Sequence, residues 1–166
     1  MFVEKIKSKV QTWECAAETV EGWRALGISI VFTNGCFDLL HYGHIQYLAE
    51  ARDLGGRLVV GLNASTSVSR LKGPHRPIND ERTRSMVLAA LEVVDLVVVF
   101  EEDTPYELIQ LIRPDFLVKG GDWRPEQIVG SDLVLSRGGK VISLPFADGY
   151  STTNIEQKII QNAGLR

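Results

Sequence analysis

Residues 28 to 62 restrict the fold more than any other part of the chain. Ile28 to Thr33 is an apolar, β-rich run without alternation, which suits a strand buried on both faces of a parallel sheet. Asn34-Gly35 then turns the chain. From Ile45 to Leu54 the apolar residues Ile45, Leu48 and Ala49 fall at helical spacing, and Gly55-Gly56 stops the pattern. Arg57 to Leu62 is a second apolar run. Strand, helix, strand is a βαβ unit, and its crossover is right-handed.

The same alternation continues downstream. Ala64 to Leu71 is a short helical stretch, and Lys72-Gly73-Pro74-His75-Arg76-Pro77 is a basic loop pinned by prolines. Asn79 or Asp80 caps a helix over Glu81 to Leu91. Val93 to Phe100 is a strand with Asp95 as the exception inside it. Thr104 and Pro105 open a helix that runs to Ile112, and Pro114 ends it. Phe116 to Lys119 and Lys140 to Leu144 are the last strands, with one helical turn at Pro125 to Val129 and a helix from Asn154 to Asn162. Upstream, residues 4 to 27 have helical periodicity with a break near Val10 to Thr12, and Gly27 is a C-cap. The expectation is an α/β chain, a three-layer Rossmann-like fold with a mainly parallel five-stranded sheet. Residues 1 to 166 form one domain: an N-terminal helical segment over 1–27 and a core over 28–162. The strand Val94 to Phe100 and the N-terminal helix are the segments a homodimer could use, unless they pack in the core.

Composition narrows the function. A formal net charge of −3 argues against a nucleic-acid partner and an anionic membrane surface. No apolar stretch is long enough to span a bilayer, and the N-terminus lacks the pattern of a secretory leader. The two cysteines, Cys15 and Cys36, make no disulfide framework or zinc spacing. The reading is a cytoplasmic protein.

Ligands of such folds lie outside the C-terminal strand ends, where the strand order reverses. Several polar groups reach that edge. His41 and His44 flank Gly43 beside a helix N-terminus, where two imidazoles and the helix amides can all donate to one phosphate. The open alternatives are a structural histidine pair and, without an obvious third ligand, a zinc site. Lys72 sits in a segment shaped by glycine and proline. Lys119-Gly120-Gly121-Asp122 follows a strand directly. Ser151, Thr152 and Thr153 precede the last helix, where one hydroxyl caps it and all three could line a phosphate site. There is no GxGxxG after the first strand, no GxxxxGK[ST] and no nucleophile elbow, which disfavours dehydrogenases, P-loop enzymes and serine hydrolases.

The stretch Thr33-Asn34-Gly35-Cys36-Phe37-Asp38-Leu39-Leu40-His41-Tyr42-Gly43-His44 resembles the HxGH region of the nucleotidylyltransferase superfamily. With Leu71-Lys72-Gly73, Arg76-Pro77-Ile78-Asn79, Leu117-Val118-Lys119-Gly120-Gly121-Asp122 and Asp148-Gly149-Tyr150-Ser151-Thr152-Thr153, the chain resembles more narrowly the heptose 1-phosphate adenylyltransferases of ADP-heptose synthesis. In many bacteria those are one half of a bifunctional protein whose other half is a sugar kinase. The resemblance implies ATP and a heptose 1-phosphate as substrates, Mg²⁺ entering with ATP and no protein metal site. It also implies a separate kinase and phosphatase in a lipopolysaccharide or capsule pathway.

By the same resemblance His41, His44 and Lys72 carry the chemistry. Thr33, Asn34, Gly35, Phe37 and Gly43 approach the nucleotide, as do Lys119, Gly120, Gly121 and Asp122, and then Ser151, Thr152 and Thr153. Asp38, Lys72 and Arg82 face the sugar phosphate, although Asp38 could instead orient its loop. Tyr150 stands where the familiar tail has a cysteine. Alternatives are a GTP- or CTP-dependent transferase, one acting on glycerol 3-phosphate, or an inactive nucleotide-binding regulatory domain.

Overall fold

The computed structural model describes residues 1–164. Its strands are β1 (Val10–Gln11), β2 (Ile30–Gly35), β3 (Arg57–Asn63), β4 (Leu96–Phe100), β5 (Phe116–Gly120) and β6 (Lys140–Leu144). Every pairing is parallel, in the order β1-β4-β3-β2-β5-β6. The chain first builds outward from β2 through β3 to β4, then returns to lay β5 on the other side of β2. The order therefore reverses between β2 and β5, and their C-terminal ends open the crevice in which ligands of open α/β sheets bind.

Alternation within the strands assigns the two faces. Ile30 and Phe32 meet Val59, Val98 and Leu117 on one side, beneath α2 (Trp13–Ala25) and α6 (Tyr106–Ile112). Val31, Val60 and Val118 face the other side, beneath α3 (Tyr42–Asp53) and α5 (Glu81–Ala90). Each fully buried Leu, Ile or Phe contributes about 1.5–3 kcal/mol relative to exposure.

Several expectations change. The break near Val10 is a real strand: α1 (Phe2–Lys7) ends, β1 pairs with β4, and α2 begins after Thr12, whose hydroxyl accepts from the Cys15 amide. The sheet thus has a sixth strand. Gly27 does end α2, at φ +75, with Ile28 N donating to Trp23 O at 3.0 Å. Because β4 lies between β1 and β3, it offers no free edge for pairing with a second copy. Asn34-Gly35 is not a turn. β3 continues beside it, pairing Asn34 with Gly61 and Gly35 with Leu62, and the turn moves to Phe37 at φ +44.

Asp95 precedes β4 rather than lying inside it. Its carboxylate accepts from the Leu58 amide at 2.8 Å and from Arg57 and Arg52 at 2.6 and 2.9 Å. Asp115 does the same for β2, accepting from the Ile30 amide at 2.7 Å. Pro105 is the cap of α6 rather than its first residue. α4 (Ser65–Lys72) follows β3, and α5 begins after Asp80, whose side chain accepts from Thr83 N. A 3₁₀ turn covers Pro125–Gln127, α7 covers Ser131–Leu135, and α8 covers Thr152–Ala163.

Candidate active site

The crevice between β2 and β5 is lined at its centre by Gly35, His44, Lys72, Lys119 and Thr152, with a cavity of about 170 Å³ between them. Two further hollows flank it. One, of about 240 Å³, lies among His41, Gly43, Phe146, Tyr150 and Ser151. The other, of about 260 Å³, lies among Asn34, Pro105, Lys119, Trp123 and Gln127. The central cavity shares Thr152 with the first and Lys119 with the second.

The histidines are placed by the start of α3. His41 is its cap residue, with extended backbone, and His44 lies one turn on, so the rings stand 4.0 Å apart between centroids. The His41 amide donates to His44 Nδ1 at 3.4 Å. A neutral His44 accepting there carries its proton on Nε2, which makes the ring a donor toward the cavity it lines. Burial, then the charges of His41 and Lys72, push the His44 pKa down to about 4, so the ring is neutral at pH 7. His41 Nδ1 is buried with no hydrogen-bond partner among the described residues. A buried polar atom left unpaired costs about 1–3 kcal/mol, and a bound ligand can supply the missing partner.

Gly43 lies between the two histidines in sequence. A Cβ there would lie 3.1 Å from His41 Nδ1 and 3.3 Å from Tyr150 Cβ, so any side chain would press into both walls. Beneath, Thr33 is fully buried and its hydroxyl bonds Tyr47 Oη at 2.5 Å, joining β2 to α3 under the cavity floor.

Lys72 ends α4 exposed at the cavity mouth, and Lys119 ends β5 with its pKa lowered by burial, partly offset by Cys36. Neither has an acidic partner within salt-bridge distance among the described residues. Ser151 caps α8, its hydroxyl accepting from Asn154 N at 3.0 Å, while Thr152 faces the cavity.

Asp38 has little capacity left for sugar hydroxyls. Its carboxylate accepts from Ile78 N, Asn79 N and Arg76 Nη1 at 2.7, 2.8 and 2.9 Å. Burial alone would raise its pKa, but those amides and the guanidinium outweigh it and hold the group below the usual carboxylate range. Asp38 holds its loop. Arg76 is no solvated charge either, since it also pairs with Glu156 of α8.

Besides the buried Thr33, four expected site residues stand away from the cavities. Arg82 is exposed on α5, Asp122 and Thr153 are exposed, and Gly121 shapes the turn at φ +110 without lining a hollow. Arg84, which sequence reasoning missed, is 1% exposed and donates to the carbonyls of Cys36, Asn63 and Asn79 and to Ser65 Oγ. Its signal was its position four residues before Leu88, on the face of α5 that turns inward. Phe146, on the segment before α8, was missed too; it lines both the central cavity and the histidine-side hollow.

An all-parallel sheet with a donor-lined crevice at its reversal point defines a Rossmann-like nucleotidyltransferase fold. The model of the family described as cytidylyltransferase-like matches residues 32–158, and the chain belongs to that family, within the nucleotidylyltransferase superfamily. Among relatives, the bifunctional protein HldE of Trichlorobacter lovleyi is 54% identical over 154 residues, 93% of this chain and 31% of that protein. HldE of Magnetococcus marinus is 56% identical over 151 residues, 91% of this chain and again 31% of the relative. The chain thus spans just under a third of the length of these relatives. A solved lipopolysaccharide core biosynthesis protein from Thermoplasma volcanium superposes with TM-score 0.59 at 30% identity, over 75% of this chain and all of that one. A pantoate–β-alanine ligase from Francisella tularensis shares the fold, at TM-score 0.59 and 16% identity.

Proposed function

We propose that the protein transfers AMP from ATP to a heptose 1-phosphate and releases pyrophosphate. The observation that carries this reading is the convergence of His41, His44, Lys72, Lys119 and Thr152 on one crevice, with its nearest carboxylate, Asp38, already engaged in holding its loop. Such a site is built to hold anions together. A sugar 1-phosphate oxygen attacks the α-phosphorus while the bond to the bridging oxygen breaks, and pyrophosphate leaves with the electron pair. The nucleophile is a phosphate monoester with a second pKa of about 6, already ionised at neutral pH, so no general base is needed.

His44 Nε2–H donates to the transferring phosphoryl as charge builds on it. His41 and the α3 amides hold the triphosphate, Thr152 and the α8 amides hold its β,γ end, and Lys72 and Lys119 bring the two anions together. No group of three metal-ligating side chains occurs among the described residues. Mg²⁺ would enter with ATP, and the chemistry it would supply is shielding of the leaving group's charge. The heptose rests on the sequence resemblance and on relatives named HldE. The acceptor has to come from a kinase and phosphatase acting before this step.

The test is a panel of ATP, GTP and CTP against heptose 1-phosphates of both anomers and glycerol 3-phosphate, followed as pyrophosphate release. The expected outcome is turnover with ATP and one heptose 1-phosphate. Preference for glycerol 3-phosphate, or nucleotide binding without pyrophosphate, overturns the reading.

A further inference from the structure

We infer that the hollow over Trp123 is the acceptor subsite, where the ring of a sugar 1-phosphate stacks on the indole and hydrogen-bonds the Gln127 amide. The inference rests on the transferase reading above and locates one of its two substrates.

The two outer hollows share no residue with each other and meet only through the central cavity. In-line displacement needs the attacking and leaving oxygens on opposite sides of the phosphorus. The histidine-side hollow holds the Gly43 end of α3 and the Ser151–Thr152 end of α8, the helix termini that suit a triphosphate and its leaving group. The acceptor must then enter from the other side, past Lys119, which opens onto both the central cavity and the Trp123 hollow.

A Cβ on Gly120 would lie 2.5 Å from the Phe146 ring, and one on Gly121 would lie 3.1 Å from both the Phe146 ring and Trp123 Nε1. Both rings therefore pack against this glycine pair, Phe146 also lining the histidine-side hollow and Trp123 the outer one. Trp123 is fixed before any ligand arrives. Its indole N–H donates to Gly120 O at 3.1 Å and its amide donates to Ser143 Oγ at 3.2 Å.

The side chain is nevertheless 48% exposed, a large ring held rigidly in the open beside the phosphate-binding lysine. Such a platform suits the CH face of a pyranose, at little entropic cost. Gln127 uses its carbonyl on the Arg124 amide at 3.3 Å, which leaves its amide N–H groups for a sugar hydroxyl. No acidic side chain lines this hollow, so a negatively charged acceptor meets no repulsion there.

The experiment measures KM for both substrates in Trp123→Ala, Trp123→Phe and Gln127→Ala. The expected result is a sugar-phosphate KM raised about tenfold in Trp123→Ala and two- to threefold in the other two, with the ATP KM within twofold of the parent. Trp123 emission should also change when sugar phosphate alone is added, and Trp123→Phe should lack that change against the constant signal of Trp13 and Trp23. A rise in the ATP KM with an unchanged sugar KM would put the base in this hollow and overturn the assignment, as would variants matching the parent in both. Parent protein that turns over no sugar phosphate instead refutes the transferase reading itself, so the two failures are told apart.

Discussion

At the scale of single residues, His44 is the most informative group. Its Nδ1 is taken by the His41 amide and its pKa is lowered to about 4. An imidazole with a folded pKa below its ordinary 6.5 binds fewer protons than in the unfolded chain, so this part of the stability is present above pH 6.5 and is lost as pH falls toward 4. The Tm should decline across that window, and His44→Ala should remove part of the slope. Nitrogen-15 chemical shifts should show the proton on Nε2 at pH 7, and a protonated ring there would reverse the assignment. The same substitution should lower kcat by about 10²-fold or more, because a donor aimed at developing charge acts mainly in the transition state. The Nδ1 of His41 is buried and unpaired among the described residues, which carries an energetic cost beside the same ring.

At the scale of the element, α3 trades its own stability for the site. Gly43 lies in its first turn, where alanine would favour the helix by about 1 kcal/mol. Its backbone is not in the left-handed region, so the obstacle is contact alone: the added methyl would press on His41 and Tyr150. Gly43→Ala should therefore keep or raise the Tm while lowering kcat/KM at least about tenfold, as expected when reacting groups are displaced by a fraction of an ångström. A variant with parental kinetics would show that the walls yield freely. Asp95 and Asp115 illustrate the opposite allocation. Both accept from strand amides at the N-terminal end of the sheet, away from the crevice, and Asp95 pairs with Arg52 and Arg57 as well.

Across the whole molecule, Arg84 joins parts far apart in sequence: the loop after β2, the end of β3 and the entry to α5. Arg84→Met would leave one buried and two partly buried carbonyls short of a donor and should cost about 3 kcal/mol. For a chain of this length that lowers the Tm by roughly 6–12 °C in a thermal melt. A shift under about 2 °C would mean that water replaces the guanidinium.

This tie also shows where reading the sequence stops. The buried strands announced themselves as apolar runs, and the helix starts as caps, because both depend on neighbouring residues. β1 did not, since two residues have no pattern and their pairing with β4 is a contact across some 87 positions. Asn34-Gly35 looked like a turn because its continuing partner in β3 lies some 27 positions on, beyond the reach of a local pattern. The histidines, both lysines and Thr152 were legible as a donor set. Arg82 was preferred over Arg84 because only the packing of α5 says which arginine turns inward. Asp38 kept two readings until the amides of Ile78 and Asn79 were seen to occupy it.

α8 carries the cap at Ser151 and the hydroxyl at Thr152, yet none of its residues is buried. Near the crevice it is moored by a guanidinium that Glu156 must share with Asp38. Because these side chains are largely buried, the mooring is screened by salt less than a surface pair would be. On the proposed reading, the side of the site that would hold the leaving group therefore hangs on one shared guanidinium, while the floor rests on apolar layers.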